Sequence, residues 1–499
     1  MGVKAFLSKP LAAWVHARQK NWMERPAEAQ QRVFQGIIQK AAGTAFGKDH
    51  YFKDIQTPKD LAQAVPVRDY EALRPYFDRL KTGERDVLWP GLPLYFAKTS
   101  GTTSGTKYIP ITPDSIPNHI NGAKNALLNY IHETGKAQFL DGKLIFLSGS
   151  PVLEQVAGIN TGRLSGIVNH HIPAYLRGNQ LPSYQTNIIE DWETKLDAIV
   201  NETLGQPMTL ISGIPPWVQM YFDKIMSRTG KHIKDVFPDF NLFVYGGVNF
   251  APYRAKLMES IGRKVDSIET FPASEGFFAF QNVQDDPGLL LLADSGIFYE
   301  FIPAEEFYQP HPRRLTLAEV KTGVNYALII NSNAGLWGYS IGDTVKFTSL
   351  FPHKVVVSGR LKHFISAFGE HVIAEEVEGA LQDAMAEFPE VAVTEFTVAP
   401  YVSQGEDPSY HEWLVAFAQP PHDPERFAKA LNWHLRKRNS YYDDLITGNI
   451  LATLQVTPLP SDAFQVYMKR QGKLGGQNKV PRLSNDRTLA DGLLEAVQK

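Results

Sequence analysis

Lys98-Thr99-Ser100-Gly101-Thr102-Thr103-Ser104-Gly105-Thr106-Lys107 sets four threonines, two serines and two glycines between two lysines. Glycines let backbone N–H groups approach an anion, hydroxyls donate to phosphate oxygens, and lysine supplies counter-charge. Ser100, Gly101, Thr102, Thr103, Ser104 and Lys107 are therefore candidate phosphate contacts. The segment is not a P-loop of the Walker type. Its glycines are one residue too close, Lys107 is followed by Tyr108, and a strand rather than a helix comes next. A polar hairpin with no ligand has the same composition.

Four further segments could carry chemistry. Phe271-Pro272-Ala273-Ser274-Glu275-Gly276 follows a strand, and a carboxylate at a strand end in an α/β sheet stands where ligands bind. Glu275 could hold Mg²⁺ against phosphate oxygens, because hard cations prefer carboxylate oxygen. Asp343, after Gly342, is an acceptor-only group suited to a bidentate grip on two ribose hydroxyls. Both segments also read as simple turns. Gly359-Arg360-Leu361-Lys362 is either a hinge with a phosphate contact or a solvated basic loop. Lys479 lies in the glycine-rich segment Gly475 to Arg482, from which a lysine could swing onto developing negative charge. His170-His171 is a poor metal pair, since neighbours on a strand point to opposite faces. No GxSxG elbow occurs, and no Ser-His-Asp set can be assembled locally.

Bulk properties exclude several classes. The 499 residues carry a formal net charge of -3, which makes no electrostatic case for a nucleic-acid or membrane partner. No run of about 18 apolar residues is available to span a bilayer. Cysteine is absent, which removes disulfides, thiolate metal sites and cysteine nucleophiles together. The N-terminal stretch lacks the apolar core of a secretory signal, and Phe6 stands where myristoylation needs Ser or Thr. A cytoplasmic protein is expected, with small-molecule substrates and an oligomeric state that composition does not address.

The elements that must position these residues follow from periodicity. The first 80 or so residues read as helical, and strands flank the hydroxyl-rich loop. An amphipathic helix is expected from Gly122 to His132. Buried strands at Lys143 to Leu147, Met208 to Ser212, Asn241 to Tyr245 and Val265 to Thr270 alternate with helices, the pattern of an α/β sheet. Between Leu289 and Phe347 strands joined by short turns predict an antiparallel, barrel-like portion. The pattern resets near Ser358. Expected are a large α/β domain over residues 1–358 and a small mobile α+β domain over residues 359–499. Candidate apolar contacts for an organic substrate are Leu127, Ile131, Trp217, Met220 and Tyr221, which core packing would equally explain.

The order of these signatures resembles that of adenylate-forming enzymes, the firefly-luciferase-like superfamily. The chain resembles the auxin-responsive Gretchen Hagen family of acyl acid–amido synthetases in particular. The likeness runs from Ala41-Ala42-Gly43-Thr44-Ala45-Phe46-Gly47 to Asp486-Arg487, through Val65-Pro66-Val67-Arg68-Asp69-Tyr70-Glu71, Asp86-Val87-Leu88-Trp89-Pro90-Gly91 and Ser100-Gly101-Thr102-Thr103. It implies a ligase that uses ATP and Mg²⁺ to adenylate a carboxylic acid and then joins the acyl group to an amino acid. By that likeness Ser100 to Lys107 would cradle the ATP phosphates, and Gly246, Gly247, Phe271, Ala273 and Ser274 would line the adenine. Glu275 would hold the metal, Asp343 the ribose, Arg360 and Lys362 the hinge, and Lys479 would be the mobile lysine. Two departures stand out. Gly338 precedes Tyr339 where relatives often carry a basic residue, and Ser340 replaces an arginine usual in plant members. An acyl-CoA ligase with the same first step, and a nucleotide- or acyl-binding protein without turnover, are the competing classes.

Overall fold

The computed structural model of the chain describes residues 2–100, 106–172, 177–189, 191–247, 250–361, 364–365, 372–402, 409–447, 451–473, 480–484 and 486–497. These form two compact units, one of residues 1–248 and 258–357, the other of residues 249–257 and 358–499.

The larger unit is built on one mixed sheet of eleven strands. Two strands outside it, β1 (Tyr95–Ser100) and β2 (Thr106–Ile111), belong to a four-stranded sheet with β4 (Glu154–Val156) and β5 (Ile159–Gly162). The parallel core of the main sheet comprises β3 (Lys143–Phe146), β7 (Met208–Ser212), β8 (Leu242–Gly246) and β9 (Asp266–Ala273), with the short β6 (Gln180–Leu181) at one edge. Their central residues are apolar without alternation, as expected where helices cover both faces. Helix Ile116–Thr134 covers β9 and β10 (Gly276–Gln281). Asn118 fixes it there. Its amide donates to the Phe277 carbonyl (3.0 Å) and its oxygen accepts from the Phe277 N–H (2.7 Å).

Beyond β9 the strands turn antiparallel: β10, β11 (Leu289–Leu291), β12 (Ile297–Pro303), β13 (Asn325–Ser332), β14 (Tyr339–Leu350) and β15 (His353–Arg360). Sheet order is β12-β13-β14-β15-β11-β10-β9-β8-β7-β3-β6. The strands expected as a barrel-like portion thus form one arm of the sheet that also holds the parallel core.

The smaller unit has its own core around Phe396, Trp413, Phe427 and Tyr442. It contains the pair β16 (Phe364–Ile365) and β17 (Val372–Ile373), and a sheet of β18 (Ala392–Tyr401), β19 (Tyr410–Gln419) and β20 (Gln455–Leu459). Helices Ala374–Glu387 and Pro424–Arg438 pack together in that unit. Arg482 is buried between Glu378 (3.0 Å) and Glu395, and it donates to the Tyr253 hydroxyl at 2.7 Å. Those partners hold its charge well above the ordinary arginine range despite burial.

Candidate functional site

Because β3, β7, β8 and β9 run parallel, their carboxyl ends share one edge of the sheet. Phe146, Ser212, Gly246 and Ala273 stand there in a row. Gly246 ends β8 so close to β9 that a Cβ would lie 2.3 Å from the Thr270 carbonyl oxygen. Gly247 follows with φ +81°, a left-handed turn that glycine adopts freely. Phe271 is buried against Phe278, and Ala273 and Ser274 close the strand. The wall expected of Gly246, Gly247, Phe271, Ala273 and Ser274 is therefore one continuous stretch of the sheet edge.

Glu275 sits with Ser274 in the two-residue turn between β9 and β10, where Ala273 pairs with Gly276. Its Oε1 accepts from the Tyr339 hydroxyl at 3.3 Å. Tyr339 is fully buried; desolvation, then the Glu275 charge, push its ionisation far above the usual phenol value. It therefore stays a neutral donor and aims the carboxylate. Among the described residues no group of three or more His, Cys, Asp or Glu could hold a metal. A single half-buried carboxylate still suits Mg²⁺, which keeps waters and takes most remaining ligands from substrate phosphates.

Tyr339 begins β14 and is held from two sides. Arg68 pairs with it as an isolated bridge, donating its N–H to the Gly338 carbonyl (2.9 Å) and accepting from the Ser340 N–H (2.8 Å). Gly338 has φ +56°, and a Cβ there would lie 2.7 Å from the Pro66 carbonyl oxygen. That explains why no basic residue precedes the tyrosine in this chain: no side chain fits. Asp343 is not in a terminal turn, as the Gly-Asp pair alone would have it. It lies within β14, at a bulge where the register to β13 slips between Ala327 and Ile329. Gly342 takes φ +82° in that bulge, and Asp343 is buried. Bulges re-aim side chains beside sites.

The hydroxyl-rich segment connects β1 to β2, whose register closes at Ser100 opposite Thr106. Gly101, Thr102, Thr103, Ser104 and Gly105 lie outside the described residues, as do Lys362 and Lys479. For Ser100 and for Arg360, which ends β15, only the backbone is described. Lys107 on β2 lies over the Tyr70 ring, 5.8 Å from its centroid. The Tyr70 hydroxyl accepts from the Tyr108 N–H at 3.0 Å, and Tyr70 is near enough to Tyr339 to raise its ionisation further. Lys107 thus meets Tyr70, the segment carrying Tyr70 pairs through Arg68 with Tyr339, and Tyr339 donates to Glu275. Sequence reasoning missed Tyr70 and Tyr339 as positioning residues, although both lie inside segments it had singled out.

The candidate substrate contacts are on two helices. Leu127 and Ile131 pack into the main core from helix Ile116–Thr134. Trp217, Met220 and Tyr221 are on helix Pro215–Thr229; Trp217 meets Trp192, and the buried Tyr221 donates to Thr203 Oγ1 at 2.7 Å. His170 ends helix Leu164–His170 rather than lying on a strand, and the two histidine rings bond separately to Pro151 O and the Tyr95 hydroxyl.

One feature of the same sheet edge escaped the sequence. Beyond β3, Lys195 donates to the carbonyls of Ser148 (3.1 Å) and Asn187 (2.8 Å). Arg163 crosses Gly149, whose added Cβ would lie 2.7 Å from its Cδ. Burial and then the Arg163 charge pull Lys195 down to about 8. Burial alone lowers Arg163, and among the described residues neither cation has a carboxylate partner. The signal was available, since no Asp or Glu occurs between Gln155 and His171.

Residues 15–183 match the GH3 family N-terminal domain, 290–360 the GH3 family central domain and 375–488 the GH3 family C-terminal domain. A jasmonoyl–L-amino acid synthetase of Nicotiana attenuata is 21% identical over 384 residues, covering 64% of this chain and 66% of the relative, just under two thirds of its length. An indole-3-acetic acid-amido synthetase of Arabidopsis thaliana is 20% identical, covering 91% of this chain and 88% of that one. The solved acyl acid amido synthetase GH3.15 shares the fold, with a TM-score of 0.78 at 16% identity over 96% of this chain and 94% of that one.

Proposed function

The chain belongs to the GH3 family, and on that premise we propose that it is an ATP-dependent acyl acid–amido synthetase. The observation that carries the reading is the Arg68–Tyr70 segment, which meets Lys107 of β2 through Tyr70 and pairs through Arg68 with Tyr339, the donor to Glu275 in the turn of β9 and β10. A phosphate cradle and a metal-holding carboxylate need that fixed relation.

In the first half-reaction a substrate carboxylate oxygen attacks the α-phosphorus of ATP, and pyrophosphate leaves. The hydroxyl loop and Lys107 neutralise the phosphates, Asp343 holds the ribose, and Gly246, Gly247 and Phe271 to Ser274 seat the adenine. Mg²⁺ held between Glu275 and the phosphates would supply the largest share of charge neutralisation. Lys479, on the smaller unit, adds charge in this step and withdraws for the next, with Arg360 and Lys362 at the hinge. In the second half-reaction the amino acid nitrogen attacks the acyl carbon, the bond to AMP breaks, and the amine gives up a proton. A Lys479→Ala variant is expected to lose pyrophosphate release by about 100-fold or more. A normal adenylation rate in that variant would remove Lys479 from the step.

The substrate acid spends its carboxylate on phosphorus, whereas the amino acid keeps its own. A buried lysine beside a half-buried arginine, with no carboxylate partner among the described residues, is the proposed seat for that surviving charge. Arg163 and Lys195 stand three strands from the end of β9, about 14 Å along the edge at the usual spacing. Arg163→Gln is expected to raise the amino acid KM at least about tenfold with acid-dependent pyrophosphate release unchanged. An unchanged KM in steady-state assays would sink the assignment.

The test of the whole reading is pyrophosphate release with ATP, Mg²⁺ and a panel of aryl, indole and fatty acids, with and without each amino acid. Acid-dependent release, with AMP and an amide appearing once an amino acid is present, is the expected result. Product formed only with CoA would place the chain among thioester-forming ligases, and ATP binding without turnover on any acid would overturn the enzyme reading.

A further inference from the structure

Helix Val3–Glu24 is turned inside out. Its inward face carries Ala5, Ser8, Ala12, Gln19 and Trp22, while Val3, Phe6, Leu7, Leu11 and Trp14 are 46–76% exposed. Pro10, Ala13 and Ala17 are exposed among them. Positions 3, 6, 7, 10, 11, 14 and 17 recur at the helical period, so they form one stripe rather than scattered contacts. From Val3 to Trp14 the stripe is roughly 16 Å long at 1.5 Å per residue. Single exposed apolar residues need no explanation; a continuous row of large ones does. Among the described residues of the larger unit packing does not supply it, because it is the opposite face that meets helices Ile116–Thr134 and Pro26–Ala41.

Charge identifies the partner. Helix Val3–Glu24 carries four Lys or Arg residues, Lys4, Lys9, Arg18 and Lys20, against one acid, Glu24 at its last position, which pairs with Lys20 at 3.5 Å. The whole chain is at -3, so this local excess is hidden in the overall balance. Arg18 lies over the Trp14 ring, 4.4 Å from its centroid, where an aromatic body and a cationic head adjoin. Large apolar residues on one stripe, flanked by cations and with a single acid at the far end of the helix, suit the headgroup region of a bilayer. Pairing with a second copy is disfavoured, since two such helices would set four cations against four with a single carboxylate on each. No described helix is long and apolar enough to cross a membrane, and lying in the interface does not require one.

We propose that the outer face of this helix docks the protein on an anionic lipid surface. The stripe enters the acyl boundary and Lys4, Lys9, Arg18 and Lys20 meet the headgroups. This does not depend on the reaction proposed above.

The test is co-sedimentation of the full chain with vesicles of phosphatidylcholine alone and of phosphatidylcholine with a quarter phosphatidylglycerol. The expected result is at least about tenfold more protein bound to the anionic vesicles at low salt, with most of it released at 0.5 M salt. The variant Phe6→Ser/Leu7→Ser/Leu11→Ser changes only outward side chains and is expected to keep its melting temperature while losing vesicle binding. Equal sedimentation with both vesicle types would overturn the proposal, as would undiminished binding by the triple variant. So would a concentration-dependent dimer, abolished by the triple variant, in a protein that ignores vesicles.

Discussion

Glu275→Gln is expected to slow acid-dependent pyrophosphate release by about 100-fold to 1000-fold while leaving the melting temperature unchanged. The amide has the carboxylate's shape, and its oxygen can still accept from the Tyr339 hydroxyl, which approaches at 3.3 Å in the native protein. What is lost is the negative charge that a hard cation needs. Burial holds Tyr339 in its neutral form, so the loss is not compensated by a phenolate. The rate should recover only in part with excess Mg²⁺, and the apparent Mg²⁺ requirement should rise. Tyr339→Phe is the matching control: it leaves the charge but frees its orientation, and a smaller loss is expected. A Glu275→Gln enzyme within a few-fold of the native rate would show that this carboxylate does not hold the metal.

The second large effect concerns stability. Arg313 and Arg314 are neighbours with opposite fates. Arg313 pairs with Glu306 at the surface, its side chain 66% exposed. Arg314 is buried at 6%, gripping Glu300 at 2%. Arg314 Nε donates to Glu300 Oε1 at 2.9 Å, and the guanidinium also donates to the carbonyls of Ala62 and Val65. Glu300 accepts further from the Asn331 amide (2.8 Å), whose oxygen accepts from the Gly338 N–H (2.7 Å). The network therefore supports both the segment that carries Arg68 and the start of β14 that carries Tyr339. Arg314→Met would leave the Glu300 charge buried with one amide donor, a loss of about 3–5 kcal/mol. Arg313→Met removes an exposed pair worth about 0–1 kcal/mol. The measurement is the melting temperature of each variant: several degrees lost for Arg314→Met, almost none for Arg313→Met. Arg314→Met/Glu300→Met should recover much of the loss, because no charge is then stranded. Equal melting of the two single variants would mean that the buried pair is not what holds this region.

Much of the layout of the larger unit was legible along the chain. Parallel strands buried on both faces announce themselves as unbroken apolar runs, and glycines or a carboxylate directly after them mark the sheet edge. Glu275 was read that way, whereas Gly246 and Gly247 entered through the resemblance to the Gretchen Hagen family. The antiparallel strands were also visible, but not that they extend the same sheet. Strand order is a matter of long-range pairing, and local periodicity carries no record of it. The apolar substrate candidates show the same limit. Tyr221 and Ile131 have the right chemistry for a pocket wall, and both are buried in packing between elements. Asp343 was located by its motif, yet its setting, a bulge within β14, depends on β13 lying alongside.

By itself the sequence placed the elements and the candidate residues they bear, because residue type and local period are properties of the chain alone. The tertiary structure decided which of two adjacent arginines is buried, that Gly338 must be glycine, and that Arg163 and Lys195, 32 residues apart, come close enough for one charge to act on the other. It also decided that the first helix shows its large apolar side chains to solvent. The physical reason is common to all four. Burial, steric contact and charge pairing belong to the neighbours a residue acquires when the chain closes on itself, and those neighbours come from elsewhere in the chain.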